Sequence, residues 1–272
     1  MAIDPRAADT LALLEAGQYV ARSGAVVQLA EAIAAAKAGT ALYAPEDIAA
    51  LALPTAAGAP RARIEITSET TSAAARRLYE REGVRDAAAH NFASAKRIGG
   101  GFLTGSNAQE EDLCRCSALF KCLESQPRYY QANRAQGGCL YTDHAIWSPR
   151  VPFFRDDTLA LTEEPYFVSV VTMPAPSARD LEKYPEVTRG DLDAVLQTRA
   201  LKVLQVAADR QHRTLILGAW GCGAFRNPAT VVAKAFADAL EQMPGAFDRV
   251  VFAIYERTKD GPNRVAFERR FA

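Results

Sequence analysis

The sequence predicts an α/β fold, a mixed and mostly parallel sheet sandwiched by helices, with an N-terminal helical extension. Three observations predict it. From about residue 61, short apolar or alternating runs are interleaved with stretches of helical periodicity, as in sheets built from crossover units. Two glycine-rich loops follow predicted strands, where ligands bind in such sheets. The 272-residue chain is 49% hydrophobic and 24% charged, the balance of a globular protein with a sizeable core.

Residues 1–60 read as the extension. Leu11, Leu14 and Val20, then Val27, Ala30, Ile33 and Ala34, recur at helical spacing, and a looser stretch runs from Pro45 to Pro60. Residues 61–272 read as one compact unit. Arg63 to Thr67 alternates like a half-buried strand, and Ser72 to Glu82 is a helix ended by Gly83. Ala87 to Ala93 is a short buried strand. Gln109 to Glu124 is a single helix with Leu113, Cys116, Phe120 and Leu123 on one face. Tyr166 to Met173 is a strand, and Leu192, Val195, Leu196, Val203 and Ala207 mark a long helix. Thr214 to Trp220 and Arg249 to Tyr255 are further strands. Between them a helix starts at Asn227-Pro228, a cap residue followed by proline at the first helical position.

Composition narrows the function. Formal net charge is zero, so no basic field holds nucleic acid by counterion release, and direct nucleic-acid binding is not expected. No apolar run is long enough to span a membrane, and the N-terminus lacks the basic and apolar regions of a secretory signal. The five cysteines (Cys114, Cys116, Cys122, Cys139, Cys222) match no zinc spacing, and His90, His144 and His212 are scattered. These features predict free thiols, a cytoplasmic location and no metal site.

The informative stretch runs from His90 to Glu111. Gly99-Gly100-Gly101 lets backbone approach a ligand closely, with N–H groups free to face phosphate or ribose oxygens. Ser106 or Asn107 suits a helix N-cap, with Gln109 or Glu110 as capping-box partner, which places Gln109, Glu110 and Glu111 in the first turn. Taken alone, both glutamates simply suit a helix N-terminus. A second loop, Gly218-Ala219-Trp220-Gly221-Cys222-Gly223-Ala224-Phe225-Arg226-Asn227, joins a strand to a helix and makes an anion site for a diphosphate. Cys222 has no histidine nearby in sequence to activate it and reads as a small loop residue.

The first stretch resembles the glycine-triplet and Gln-Glu-Glu signature of poly(ADP-ribose) glycohydrolases of the compact microbial type, whose catalytic domain is a macrodomain. The match is close over residues 87 to 124. The resemblance implies a macrodomain-like fold and hydrolysis of ribose–ribose O-glycosidic bonds. Its substrates would be poly(ADP-ribose) or ADP-ribosylated proteins, its product ADP-ribose, and it would need no cofactor. It implies that Glu111 is the catalytic acid/base and that Glu110 holds the ribose hydroxyls. Asn91, Gly99, Gly100, Gly101 and Gln109 would line the distal ribose and diphosphate. Gly218, Gly221, Cys222, Gly223 and Ala224 would form the phosphate loop, and Phe225 would stack on adenine. Ile98 departs from the pattern, which has proline before the glycines.

Adjacent Glu110 and Glu111 project about 100° apart on a helix, so they are expected to play separate parts. The helix N-terminus favours an ionised Glu111, whereas an acid needs a proton. Substrate diphosphate and Glu110 push the other way, so the acid is expected to be poised in the bound complex. Asp143 and His144 are candidates for a catalytic pair, which structural hydrogen bonding explains as well. Arg226, Arg257 and Lys259 are candidates to meet an anionic polymer. Three other readings stay open: an ADP-ribose-binding macrodomain reader, a mono-ADP-ribosyl hydrolase, and a dinucleotide oxidoreductase, whose fingerprint neither loop matches.

Overall fold

The computed structural model describes residues 3–54, 58–256, 258 and 261–272. Helix α1 (Pro5–Ala16) is capped by Asp4 and ends at Gly17, whose φ of +64° lies in the left-handed region. A hairpin of β1 (Gln18–Val20) and β2 (Val26–Gln28) follows, then α2 (Ala30–Gly39), β3 (Ala41–Tyr43) and α3 (Pro45–Ala49). Val20 and Val27 therefore sit on strands, not on the expected helices. Each of these strands is three residues long, too short to show an alternation.

The rest of the chain runs β4 (Arg63–Thr67), α4 (Thr71–Arg76), β5 (Ala87–Phe92), α5 (Gln109–Cys116), α6 (Leu119–Glu124) and α7 (Pro127–Gln136). It continues with β6 (Ala145–Arg155), β7 (Leu161–Met173), α8 (Arg189–Asp209), β8 (Thr214–Leu217), α9 (Ala229–Glu241), β9 (Arg249–Ala253) and α10 (Pro262–Phe271). The main sheet has seven strands in the order β3-β6-β7-β5-β8-β9-β4. Neighbours from β7 to β4 are parallel, and β6 is antiparallel to both β7 and β3. The expected mixed, mostly parallel sheet is present.

Side-chain alternation divides the strands between two cores. Ala87, Ala89, Ile216 and Val251 face α1, α4, α5, α6 and α7, whose Leu14, Ala75, Leu113, Leu123 and Tyr129 join them in one cluster. Ala88, Leu215, Leu217, Val250 and Phe252 face α8, α9 and α10 in the other, with Leu196, Phe236 and Phe267. Residues 3–54 do more than cover this sandwich: Leu42 and Tyr43 pair with Ile146 and Ala145, so β3 is an edge strand of the main sheet.

Three expected helices are adjusted. The one over residues 72–82 is α4 followed by a π-helical turn at Arg77–Arg81, and Val84 N–H closes it on the Leu78 carbonyl across Gly83 at φ +71°. The one from 109 to 124 breaks at Ser117, which is extended and bridges to Phe153 of β6 while its hydroxyl donates to the Leu113 carbonyl at 2.7 Å. The one expected to be capped by Asn227 starts one residue later, with Pro228 as its N-cap and Ala229 as its first residue. The Asn227 amide instead donates to the Pro176 and Gly221 carbonyls (2.9 and 3.3 Å) and ties down the preceding loop. No helix among the described residues is long and apolar enough to cross a membrane.

Candidate active site

Strands β5 and β8 are neighbours in register, Ala87 opposite Thr214 and Ala89 opposite Ile216, so the loops leaving their carboxyl ends lie side by side. Between them opens a cavity of about 530 Å³. Gln109 and Ala108 line it from one loop, and Gly221, Gly223, Ala224 and Phe225 from the other.

The first turn of α5 is stitched to β5 and the glycine triplet by three consecutive side chains. The Gln109 amide donates to the His90 carbonyl and accepts from Phe92 N–H, both at 2.8 Å, continuing the hydrogen bonding of β5. Glu110 accepts from Ser94 N–H at 2.7 Å and from the Asn91 amide at 3.2 Å. Glu111 accepts from Gly101 N–H at 2.6 Å and Ala108 N–H at 2.9 Å. Ala108, not Ser106 or Asn107, is therefore the N-cap residue, and Glu111 itself is the side chain that reaches back to it.

Gly100 explains why the triplet must be glycine. Its φ is +60°, and a Cβ there would meet Glu111 Oε1 at 2.3 Å and Glu110 Oε2 at 2.9 Å. Both carboxylates thus rest on this one Cα. Gly99, also at φ +60°, turns its Cβ direction toward Phe120, and Gly101 turns toward Ser106. Ile98, the departure from the expected proline, packs partly buried against the first core.

Glu110 and Glu111 are only 3% and 6% exposed. Burial pushes the Glu110 carboxyl up to about 8, and the charge of Glu111 pushes the same way, against the Ser94 and Asn91 hydrogen bonds. Near neutral pH Glu110 therefore holds a proton. Asn91 is fully buried, its amide shared between Glu110 and Thr172, and its Oδ1 has no partner among the described residues.

In the second loop, Gly221 has φ +71°, and a Cβ there would meet Ala175 and the Asn227 amide at 2.6 Å. Gly218 passes so close to the Ala253 carbonyl that a Cβ would lie 2.6 Å from it. Phe225 is half-buried, with its ring 6.0 Å from that of Tyr141. The Cys222 thiol is pushed up to about 12 by burial, which leaves it protonated and a poor nucleophile.

The comparisons with known proteins agree with this fold. The sequence model described as "Microbial-type PARG, catalytic domain" matches residues 7–156. The chain belongs to the microbial-type PARG family. Among solved structures, it is similar to poly(ADP-ribose) glycohydrolase (PARG) from Thermomonospora curvata, with 46% identity over 98% of each chain and a TM-score of 0.90. The same enzyme bound to the inhibitor ADP-HPD matches at 46% identity over 98% of each chain with a TM-score of 0.89. PARG from Deinococcus radiodurans in complex with ADP-ribose is 42% identical, over 88% of this chain and 96% of that one, with a TM-score of 0.80. No curated protein matches the chain.

In this PARG fold the expected site residues fall into three groups. Gln109, Gly221, Gly223, Ala224 and Phe225 line the cavity directly. Glu110, Glu111, Asn91, Gly100 and Gly101 form a buried, hydrogen-bonded cluster beside Gln109 at the start of α5. Gly99, Gly218 and Cys222 shape the loops from behind. Asp143 and His144 are each engaged elsewhere: Asp143 binds the buried Arg199 at 2.7 Å and also Lys202, while His144 Nδ1 lies 2.9 Å from the Thr142 hydroxyl. Arg257 and Lys259 lie outside the described residues. Arg226 is exposed, at φ +58°. Sequence reasoning missed Thr70, Thr71, Asp112, Tyr255 and Asn263, which also line the cavity. The position of Asp112, directly after the glutamates, was the one available signal. The others follow β4 and β9: Thr70 and Thr71 at the start of α4, Tyr255 after β9, and Asn263 in the first turn of α10.

Proposed function

We propose that this PARG-family chain hydrolyses the ribose–ribose O-glycosidic bond of poly(ADP-ribose) and releases ADP-ribose, with Glu111 as acid/base. The observation that carries the reading is the convergence of Gln109, Glu110 and Glu111 on the β5 end and the glycine triplet, beside the glycine-rich loop that leads to Phe225. Protonated Glu111 donates to the departing 2′-oxygen as the anomeric carbon becomes oxocarbenium-like. The resulting carboxylate, oriented by Gly101 and Ala108 N–H groups, then takes a proton from the attacking water. Neutral Glu110 both donates and accepts at the ribose hydroxyls, and Asn91 keeps Oδ1 available beside it. Gly221, Gly223 and Ala224 hold the diphosphate, and Phe225 stacks on adenine. The free thiols fit a cytoplasmic setting.

The test is to incubate the protein with purified poly(ADP-ribose) and separately with a mono-ADP-ribosylated protein, following ADP-ribose release by chromatography. Release from the polymer is expected. Release from the mono-modified protein alone would move the assignment to a mono-ADP-ribosyl hydrolase, and binding without release to a reader.

A further inference from the structure

The cavity does not stop at the first turn of α5. Beyond Ala108 it continues past Asn107 to Arg6 and Arg115, and these two arginines with Leu159 also line a second hollow of about 190 Å³. Arg155, Asp9 and Thr10 complete that hollow. One groove thus runs from Phe225, past Gln109 and Ala108 beside the glutamate-bearing turn, to the junction of α1 with α5.

Arg115 is the informative residue. It lies one helical turn after Glu111, and both side chains reach the same loop: Glu111 to Gly101 and Ala108, Arg115 to the Ser106 carbonyl at 2.7 Å. It is only 5% exposed. Buried charges are ordinarily paired. Yet among the described residues no carboxylate oxygen comes within 4.0 Å of its guanidinium. Asp112 and Asp157 line the first cavity too, but the Asp112 carboxylate is taken by the Ser72 hydroxyl at 2.8 Å. Arg6 is bound to Asp4, Asn107 and the Gly105 carbonyl while staying partly exposed, and Arg155 pairs with Asp9 yet keeps a buried Nε without a partner.

We propose that Arg115, Arg6 and Arg155 form an anion subsite for the phosphates of the polymer unit on the leaving side of the scissile bond. The inference rests on the glycohydrolase reading. A terminal unit lying between Phe225 and Glu111 directs its neighbour past Asn107. That neighbour carries a diphosphate, and guanidinium groups match phosphate oxygens in charge and geometry. Helix α1, which lies outside the sheet sandwich's crossover units, thereby gains a part in binding the chain.

The experiment compares wild type with Arg6→Ala and Arg115→Gln on long poly(ADP-ribose) at low and high salt, alongside calorimetric binding of ADP-ribose. Each variant is expected to lose roughly tenfold in kcat/KM on the polymer, with a weaker salt dependence and an ADP-ribose Kd within about twofold of wild type. Unchanged kcat/KM on the polymer in both variants would overturn the subsite. So would a parallel loss of ADP-ribose affinity by Arg6→Ala, which would put the arginine in the terminal-unit site. If Arg115→Gln fails to fold, the exposed Arg6→Ala decides alone. A wild type that binds ADP-ribose but leaves the polymer intact would instead overturn the glycohydrolase reading, and the leaving-side assignment with it.

Discussion

Gly100→Ala is the smallest change that reaches both glutamates. The new Cβ would stand 2.3 Å from Glu111 Oε1 and 2.9 Å from Glu110 Oε2, in a backbone at φ +60°. The left-handed conformation alone costs an alanine about 1 kcal/mol, and relieving the overlap adds on the order of 1–3 kcal/mol. Relief requires Glu111 to move by about 1 Å to regain ordinary contact distance. That takes its carboxylate off the Gly101 and Ala108 N–H groups. A displacement of this size at a reacting group costs roughly a hundredfold in rate. The expected result is a loss of about 2–4 kcal/mol in denaturant stability and a fall of about a hundredfold in kcat on poly(ADP-ribose). Gly190→Ala, in the first turn of α8 with only the Thr188 hydroxyl at 3.5 Å, should keep both. Wild-type kcat in Gly100→Ala would refute the idea that the triplet exists to seat the two carboxylates.

Three further predictions follow from the same geometry. Glu110 is held neutral up to about pH 8 when folded, against an ordinary value of 4.5, so the stability it contributes is complete below about pH 4.5 and lost as pH rises through 8. Glu110→Gln should therefore gain on wild type by a few kcal/mol between pH 5 and 8; chemical denaturation at the two pH values would show a constant gap if the assignment is wrong. Phe225→Ala should weaken ADP-ribose binding roughly tenfold or more by calorimetry, and unchanged affinity would remove Phe225 from the adenine site. Asp143→Asn leaves Arg199, 2% exposed, without its carboxylate, and should cost about 2 kcal/mol or more in stability; a shifted pH–rate profile would revive Asp143 as a catalytic group.

What the sequence made legible depended on the range of the forces involved. Strand β4 was readable residue for residue because Arg63 to Thr67 alternates locally, and β5 because its alanines form a closed apolar run. The break at Ser117 was not, because its cause is a bridge to Phe153, 36 positions along the chain. Strand β3 was hidden for the same reason: three residues carry no pattern, and only pairing with β6 makes them a strand. At the site, the glycine triplet and Gln109-Glu110-Glu111 were visible as a motif. The N-cap was misplaced because Ser106 and Asn107 have good capping side chains, while the bond that forms uses Glu111 and the backbone of Ala108. The proton on Glu110 was not legible at all, since it comes from burial by the assembled fold. Arg6 reaches the cavity only because α1 packs beside α5, and nothing around it in the sequence marks it.

The most direct test of the central claim is the turnover of poly(ADP-ribose) by Glu111→Gln beside wild type, with ADP-ribose affinity measured on the same preparations. The amide keeps the side chain's size and removes its capacity to exchange a proton. The account predicts a loss of roughly a thousandfold in kcat with ADP-ribose affinity retained. Near-wild-type turnover in Glu111→Gln would contradict it and move the proton transfer to another group, Glu110 first.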